Sequence, residues 1–211
     1  MRQRSVKNLE EKLELNSSFL IRDPREVKGK WAEVFGNDNP IYLEIGCGKG
    51  QFIFTYASKN PDKNYIAIEG QENVALRALE KAEQGGLNNL RIFIDFVNDI
   101  KDYFEEGELA GVYLNFSDPW PKARHAKRRL TYHKRLANYK EIIGKEGCIE
   151  FKTDNDALFD FSLEEIELGQ FEMLEMTRDL HASDYSAKEI TTEYEDKFRN
   201  GGKNINYVKI K

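Results

Sequence analysis

The chain has 211 residues, of which 40% are hydrophobic and 33% charged, with a formal net charge of −5; that suits one soluble domain with a sizeable core and excludes indiscriminate binding to nucleic acid, leaving local recognition open. No apolar run is long enough to span a bilayer, and the N-terminal stretch MRQRSVKNLEEKLELN lacks the apolar segment of a secretory signal. Its two cysteines, Cys47 and Cys148, have no metal-ligand spacing, so the expectation is a reduced, cytoplasmic protein without a metal site.

In chain order, a polar arm leads to Asp23 and Pro24, read as the N-cap and first turn of a helix running toward Phe35. IYLEI (41–45) is a buried strand, followed by the turn GCGKG and a helix over 51–59 that stops near Pro61. NYIAIE (64–69) is a second strand, and a helix over 72–84 is closed by Gly85 and Gly86. LRIFID (90–95) and VYLNF (112–116) are the third and fourth strands. A helix over 131–143, the strand CIEFK (148–152), a helix over 156–167 and the strands FEMLEMTRDL and NINYVKIK complete the pattern. Strands separated by helical segments imply crossover connections, and the last strand suits an antiparallel partner that closes the sheet. The fold expected is a doubly wound, mostly parallel α/β sheet of seven strands; residues 1–36 form an N-terminal helical arm packed on the core and 37–211 the main domain.

In an open sheet of this kind ligands bind outside the carboxyl ends of the strands. The first strand delivers Glu44 and then Gly46, Gly48 and Gly50, residues that let a backbone turn tightly and approach a ligand. Glu69, closing the second strand, is placed to accept hydrogen bonds from ribose hydroxyls, and Asp95, closing the third, to reach an adenine amino group. The spacing GxGxG is neither a phosphate loop nor the dinucleotide fingerprint, yet glycines after one strand and an acid after the next favour a nucleoside cofactor.

The fourth strand runs into SDPWPKARHAKRRLTYHKR. Between Lys122 and Arg135 lie seven Lys or Arg residues and no acid, and without them the chain keeps 25 Lys+Arg against 37 Asp+Glu. Such a run is usually a solvated face; directly after a stiff Asp-Pro-Trp-Pro turn in an acidic chain it reads as a clamp for phosphates, which Lys and Arg neutralise without reading sequence. His125 and Tyr132 are candidates to stack on exposed bases, Tyr132 being equally suited to the core. Asp118 is the candidate catalytic carboxylate, at the end of a central strand beside the expected cofactor, whereas Pro119, Trp120 and Pro121 set loop geometry. Asp154, after the fifth strand, reads as the N-cap of the next helix or as a site residue. TEYE (192–195) fits a capping box, with Thr192 as cap and Glu195 three residues on. His181 and Cys148 read as structural.

The glycine turn and its acids resemble the motif of class I S-adenosylmethionine-dependent methyltransferases. LEIGCGKGQF, SDPWPKARHAKRRLTY, FKTDN and TEYEDKF together resemble the bacterial tRNA (guanine-N7-)-methyltransferases, from about residue 30 to the terminus. The resemblance implies a Rossmann-like fold, S-adenosylmethionine as methyl donor and a variable-loop guanine of tRNA as target. It implies cofactor contacts at Glu44, Gly46, Gly48, Glu69, Asp95, Phe96 and Asp118. It further implies tRNA contacts at Lys122, Arg124, His125, Ala126, Lys127, Arg128 and Arg129, and a guanine pocket from Asp154, Thr192, Glu193, Tyr194 and Glu195. The family's acid at the third strand aligns with Phe96, so a shift of one residue to Asp95 is assumed; Asp156 stands where an arginine is common. A nicotinamide-dependent oxidoreductase and a non-catalytic RNA-binding protein are the alternatives, and monomer and homodimer are both open.

Overall fold

The computed structural model describes residues 6–199 and 202–211. Two compact units divide at residue 105. The seven strands follow the order β3-β2-β1-β4-β5-β7-β6, where β1 is Ile41–Ile45, β2 Asn64–Glu69, β3 Leu90–Ile94, β4 Leu109–Asn115, β5 Ile143–Thr153, β6 Met173–Thr177 and β7 Asn206–Ile210.

In the first unit β1 pairs with β2 and β2 with β3, all parallel. Strands covered on both faces must be apolar throughout, and Leu43, Ile66, Ala67 and Ile92 are accordingly fully buried. Helix α3 (Gln51–Lys59) and α4 (Glu72–Gly85) are the crossovers; α4 buries Val74, Ala75, Leu76, Ala78, Leu79 and Ala82, an i, i+3, i+4 stripe. The arm belongs to this unit: α1 (Leu9–Leu15) packs on α4, Leu20 bridges to Ile92 in parallel, and Leu13, Phe19 and Leu20 join the core of Ile53, Leu79 and Ile92. The helix expected from Asp23 is interrupted. Asp23 accepts only a local bond from the Arg25 N–H, and Gly29 at φ 73° breaks the path, so that α2 covers Trp31–Phe35 alone. Trp31 stacks between Phe93 and Phe104 and donates from Nε1 to Tyr103 O at 2.9 Å.

In the second unit β5 runs parallel to β4 and antiparallel to β7, which is antiparallel to β6 in turn. The terminal strand is antiparallel, as the sequence suggests, but it inserts between β5 and β6, so that β6 and not β7 forms the edge. Helices α5 (His133–Ile142) and α6 (Asp156–Leu168) pack against β5, and α7 spans Glu193–Arg199. Strand β4 starts earlier than read and stops at Asn115, because Phe116 takes φ 50° and leaves the extended conformation. The sixth strand is shorter than its sequence run, since 178–182 turn away into a 3₁₀ helix capped by Asp179.

Candidate functional site

At the carboxyl end of β1, Glu44 is 1% exposed and the chain turns through Gly46 (φ 81°) and Gly48 (φ 58°). Left-handed backbone of this kind favours glycine, and a Cβ at either position would meet no atom within 4 Å, so the turn presents bare backbone to open space. The N–H groups of Gly46 and Cys47 both donate to Ile68 O, at 2.8 and 3.0 Å, which ties the turn to β2. Glu69, the last residue of β2, holds it from the other side. Its Oε2 accepts from Gly48 N–H at 3.0 Å and its Oε1 from Gln71 N–H at 2.9 Å, where α4 begins. One carboxylate therefore fixes both the turn and the helix start.

Strand β3 ends at Ile94, so Asp95 and Phe96 lie just beyond it. Asp95 Oδ2 accepts from Tyr103 Oη at 2.7 Å and from Arg25 Nη2 at 3.2 Å, with the guanidinium 5.0 Å over the Tyr103 ring. Burial, reinforced by the bond to Asp95, pushes the Tyr103 hydroxyl well above its ordinary range and keeps it a donor. Phe96 is 70% exposed, and its ring lies against Gly70, where a Cβ would come within 2.4 Å of it. These residues fit S-adenosylmethionine: glycines that leave the turn's backbone open at 46 and 48, a carboxylate to which a diol can donate, and an exposed aromatic ring against the neighbouring Gly70 for an adenine.

The second unit carries its own group of candidate residues. Beyond β4, Phe116 (φ 50°) and Trp120 (φ 40°) bracket the exposed Asp118 and Pro119, and Pro121 follows directly. Residues 123–128 form a 3₁₀ helix that folds around Trp120: His125 meets the indole edge-on at 5.6 Å and the Arg128 guanidinium lies 4.8 Å over it. Arg129 turns back and donates to Pro119 O and Trp120 O. The block is thus not uniform. Lys122, Arg124, Lys127 and Arg128 are exposed, Arg128 with its guanidinium over Trp120, while His125, Ala126 and Arg129 are half-buried and Arg129 is bonded to the turn. Its far end is pinned to α6 by the buried Thr131–Ser162 hydroxyl pair at 2.7 Å and by Glu165, which accepts from His133 N–H at 2.7 Å.

Asp154 does not cap α6; Asn155 does, accepting from Leu158 N–H at 2.8 Å. Asp154 accepts from Lys203 Nζ at 3.0 Å, and its charge, after burial, helps raise the pKa of Tyr194. Tyr194 is 47% exposed and lies 5.3 Å from Phe116, so the structure brings Asp154, Tyr194 and Phe116 together. Half of the capping box is present: Thr192 Oγ1 accepts from Glu195 N–H at 2.9 Å. The other half is not. The Glu195 carboxylate, 0% exposed, faces His181 Nε2 at 2.9 Å and Lys152 Nζ at 3.6 Å. Lys152 is itself 2% exposed and donates to Ala187 O and Ile190 O. Glu193 is half-buried. Lys152 and Phe116 were not singled out from the sequence, and His181, read as structural, proves to face a buried carboxylate. In CIEFK, Lys152 alternates with the buried Ile149 and Phe151 like an ordinary outward-facing residue, so nothing local marks its burial. Among the described residues no group of three or more His, Cys, Asp or Glu is arranged to hold a metal, and no helix is long and apolar enough to cross a membrane.

Residues 38–208 match a family model described as "Putative methyltransferase". A tRNA (guanine-N(7)-)-methyltransferase of Lachnoclostridium phytofermentans is 48% identical over 97% of this chain and 95% of its own length. One of Streptococcus agalactiae is 46% identical with both chains covered completely. Among solved structures, an antibiotic-related methyltransferase superposes with a TM-score of 0.64 at 16% identity, covering 86% of this chain and 92% of its own. A SAM-dependent methyltransferase from Aquifex aeolicus gives 0.54 at 15% identity over 97% and 98%. The fold is that of the class I methyltransferases, and the chain belongs to the tRNA (guanine-N(7)-)-methyltransferase family.

Proposed function

We infer that the chain methylates N7 of a guanine in tRNA, using S-adenosylmethionine. The observation that carries this reading is the end-to-end similarity to relatives named for that reaction. When bound, S-adenosylmethionine supplies an electrophilic methyl group on a sulfonium. Glu69, already anchored by the Gly48 and Gln71 N–H groups, accepts from the ribose hydroxyls. Gly46 and Gly48 let the ligand approach the backbone, Glu44 faces the cationic amino-acid end, and Asp95 and Phe96 line the adenine end.

Guanine N7 carries its own lone pair and its product is a cation, so no base is required on the nucleophile. What the protein contributes is in-line positioning and a negative field where positive charge develops. Asp118 takes that role: it contacts the methyl donor, holds the guanine N1 and amino edge and stabilises the cationic ring. Asp154, Thr192, Glu193, Tyr194 and Glu195 form the guanine pocket. Tyr194 and Phe116 offer ring faces to the base, while Thr192 and Glu195 shape the start of α7 beneath them. Lys122, Arg124, His125, Ala126, Lys127 and Arg128 contact the tRNA backbone. A variable-loop guanine is the target, and the cytoplasm, where tRNA is available, is the place of action.

Purified protein, bulk tRNA and labelled methyl donor test this directly. Label should appear as 7-methylguanosine at one variable-loop position. Binding of tRNA without transfer, or label on another atom, would overturn the reading.

A further inference from the structure

We propose that Arg129, although it lies in the basic block, is a positioning residue for the turn that carries Asp118. The inference rests on the role given to Asp118 above. Residues 118–121 are Asp-Pro-Trp-Pro, and neither proline has an N–H to donate. Trp120 holds a φ of 40°, a backbone conformation disfavoured for a bulky L-residue. A turn so poor in donors and held in a disfavoured conformation is anchored most readily through its carbonyls.

Arg129 takes two of them in succession. Its Nε donates to Pro119 O at 3.0 Å and its Nη2 to Trp120 O at 3.0 Å. The flat face of the guanidinium lies 4.1 Å over the ring of Phe161 in α6, so the anchor is backed by a helix. Fixing both carbonyls orients the peptide planes on either side of Trp120. With the φ of Pro119 set by its ring, the direction of the adjacent Asp118 follows. The planar fork explains the residue type. A guanidinium presents parallel N–H groups to neighbouring acceptors and stacks on an aromatic face, whereas a lysine ammonium is a point charge on a flexible stem. Lys122, Arg124 and Lys127, by contrast, are exposed cations available to phosphate.

The two roles separate experimentally. Arg129→Lys keeps the charge and loses the fork; Arg129→Ala loses both. Each is compared with wild type for single-turnover methyl transfer at saturating tRNA and donor, referred to the folded fraction, and for the salt dependence of tRNA affinity. A positioning residue predicts at least about a tenfold slower saturated rate in both variants with a wild-type salt slope, since positioning errors act on the chemical step. Arg124→Ser should instead lower the slope of log affinity against log salt by about 0.7–0.9, one phosphate contact. A wild-type saturated rate in Arg129→Lys, or a slope reduced by one such step in Arg129→Ala with its saturated rate intact, would overturn the proposal. If Arg129→Ala does not fold, Arg129→Lys decides alone. A wild-type protein that modifies no guanine N7 would sink the functional reading itself, whereas an active wild type matched by Arg129→Lys sinks only this inference.

Discussion

The carboxyl ends of β1 and β2 are built mostly from backbone, those of β4 and β5 mostly from long side chains. In the first region the polar contacts are the N–H groups of Gly46, Cys47, Gly48 and Gln71, gathered by one carbonyl and the Glu69 carboxylate. In the second, two non-glycine residues sit at positive φ, an arginine holds a proline-rich turn by its carbonyls, and a buried lysine faces a buried glutamate. On the function proposed above, the contrast follows from the ligands. A small cofactor of constant shape is matched by backbone fixed once and for all. A folded RNA needs cations that reach its phosphates and a pocket assembled from distant parts of the chain, and these need anchors of their own.

The largest test of that contrast is Lys152. Removing one partner of a buried charge pair leaves the other uncompensated and costs about 3–5 kcal/mol. Lys152→Met strands Glu195, which keeps only His181, and frees the carbonyls of Ala187 and Ile190 that tie 187–190 to β5. Chemical denaturation should show a loss of that order, and adding Glu195→Gln should recover part of it. A neutral Lys152→Met would mean that buried charge does not hold the second region together.

Next is Asp118. If its field stabilises the cationic product, Asp118→Ala should slow single-turnover transfer by roughly 10²–10³, the cost of removing one preorganised electrostatic group. Asp118→Asn should fall between it and wild type, keeping hydrogen bonds without charge. Rates near wild type for both would remove Asp118 from the chemistry.

Legibility in the sequence followed the same division. β1, β2, α3 and α4 were readable to within a residue, because apolar runs and glycine punctuation act locally. The Gly46–Gly48 turn and Glu69 were readable for the same reason. The second region was harder, since its decisive contacts are distant in sequence. Lys152 reaches residues 187 and 190, Glu195 reaches 181, and Arg129 reaches back to 119 and 120. A capping box could be seen in TEYE, but not that the Glu195 carboxylate would be drawn to a buried lysine instead of the cap. Nor could a run of cations reveal which members anchor the turn and which stay exposed.

A smaller effect is expected at the cofactor end. Glu69→Ala should weaken S-adenosylmethionine binding by about 1.5–3 kcal/mol, the scale of hydrogen bonds to a charged group. Part of that loss reflects the turn, which gives up its Gly48 anchor as well. Calorimetric titration should also rank the adenine end: Phe96→Ala should lose more affinity than Asp95→Ala, because the Asp95 carboxylate already serves Tyr103 and Arg25. The reverse order would make Asp95 the cofactor residue and Phe96 a bystander.

The smallest effect concerns Glu150, on β5 two residues before Lys152. Burial raises its carboxyl pKa, opposed in part by Lys209 at 3.8 Å and by the Tyr207 hydroxyl at 3.1 Å. A carboxyl whose folded pKa lies above its unfolded value, about 4.3, is bound to its proton more tightly in the native state. Its contribution is fully present below the unfolded pKa and is lost as pH rises through the folded one. Glu150→Gln carries no such titration. The stability of the variant relative to wild type should therefore grow from about pH 4 toward neutrality and level off once Glu150 is ionised in both states. Urea titrations across that interval read the difference directly. A gap that shrinks with rising pH would mean that Lys209 and Tyr207 outweigh burial, and that this strand welcomes its second charge as it does Lys152.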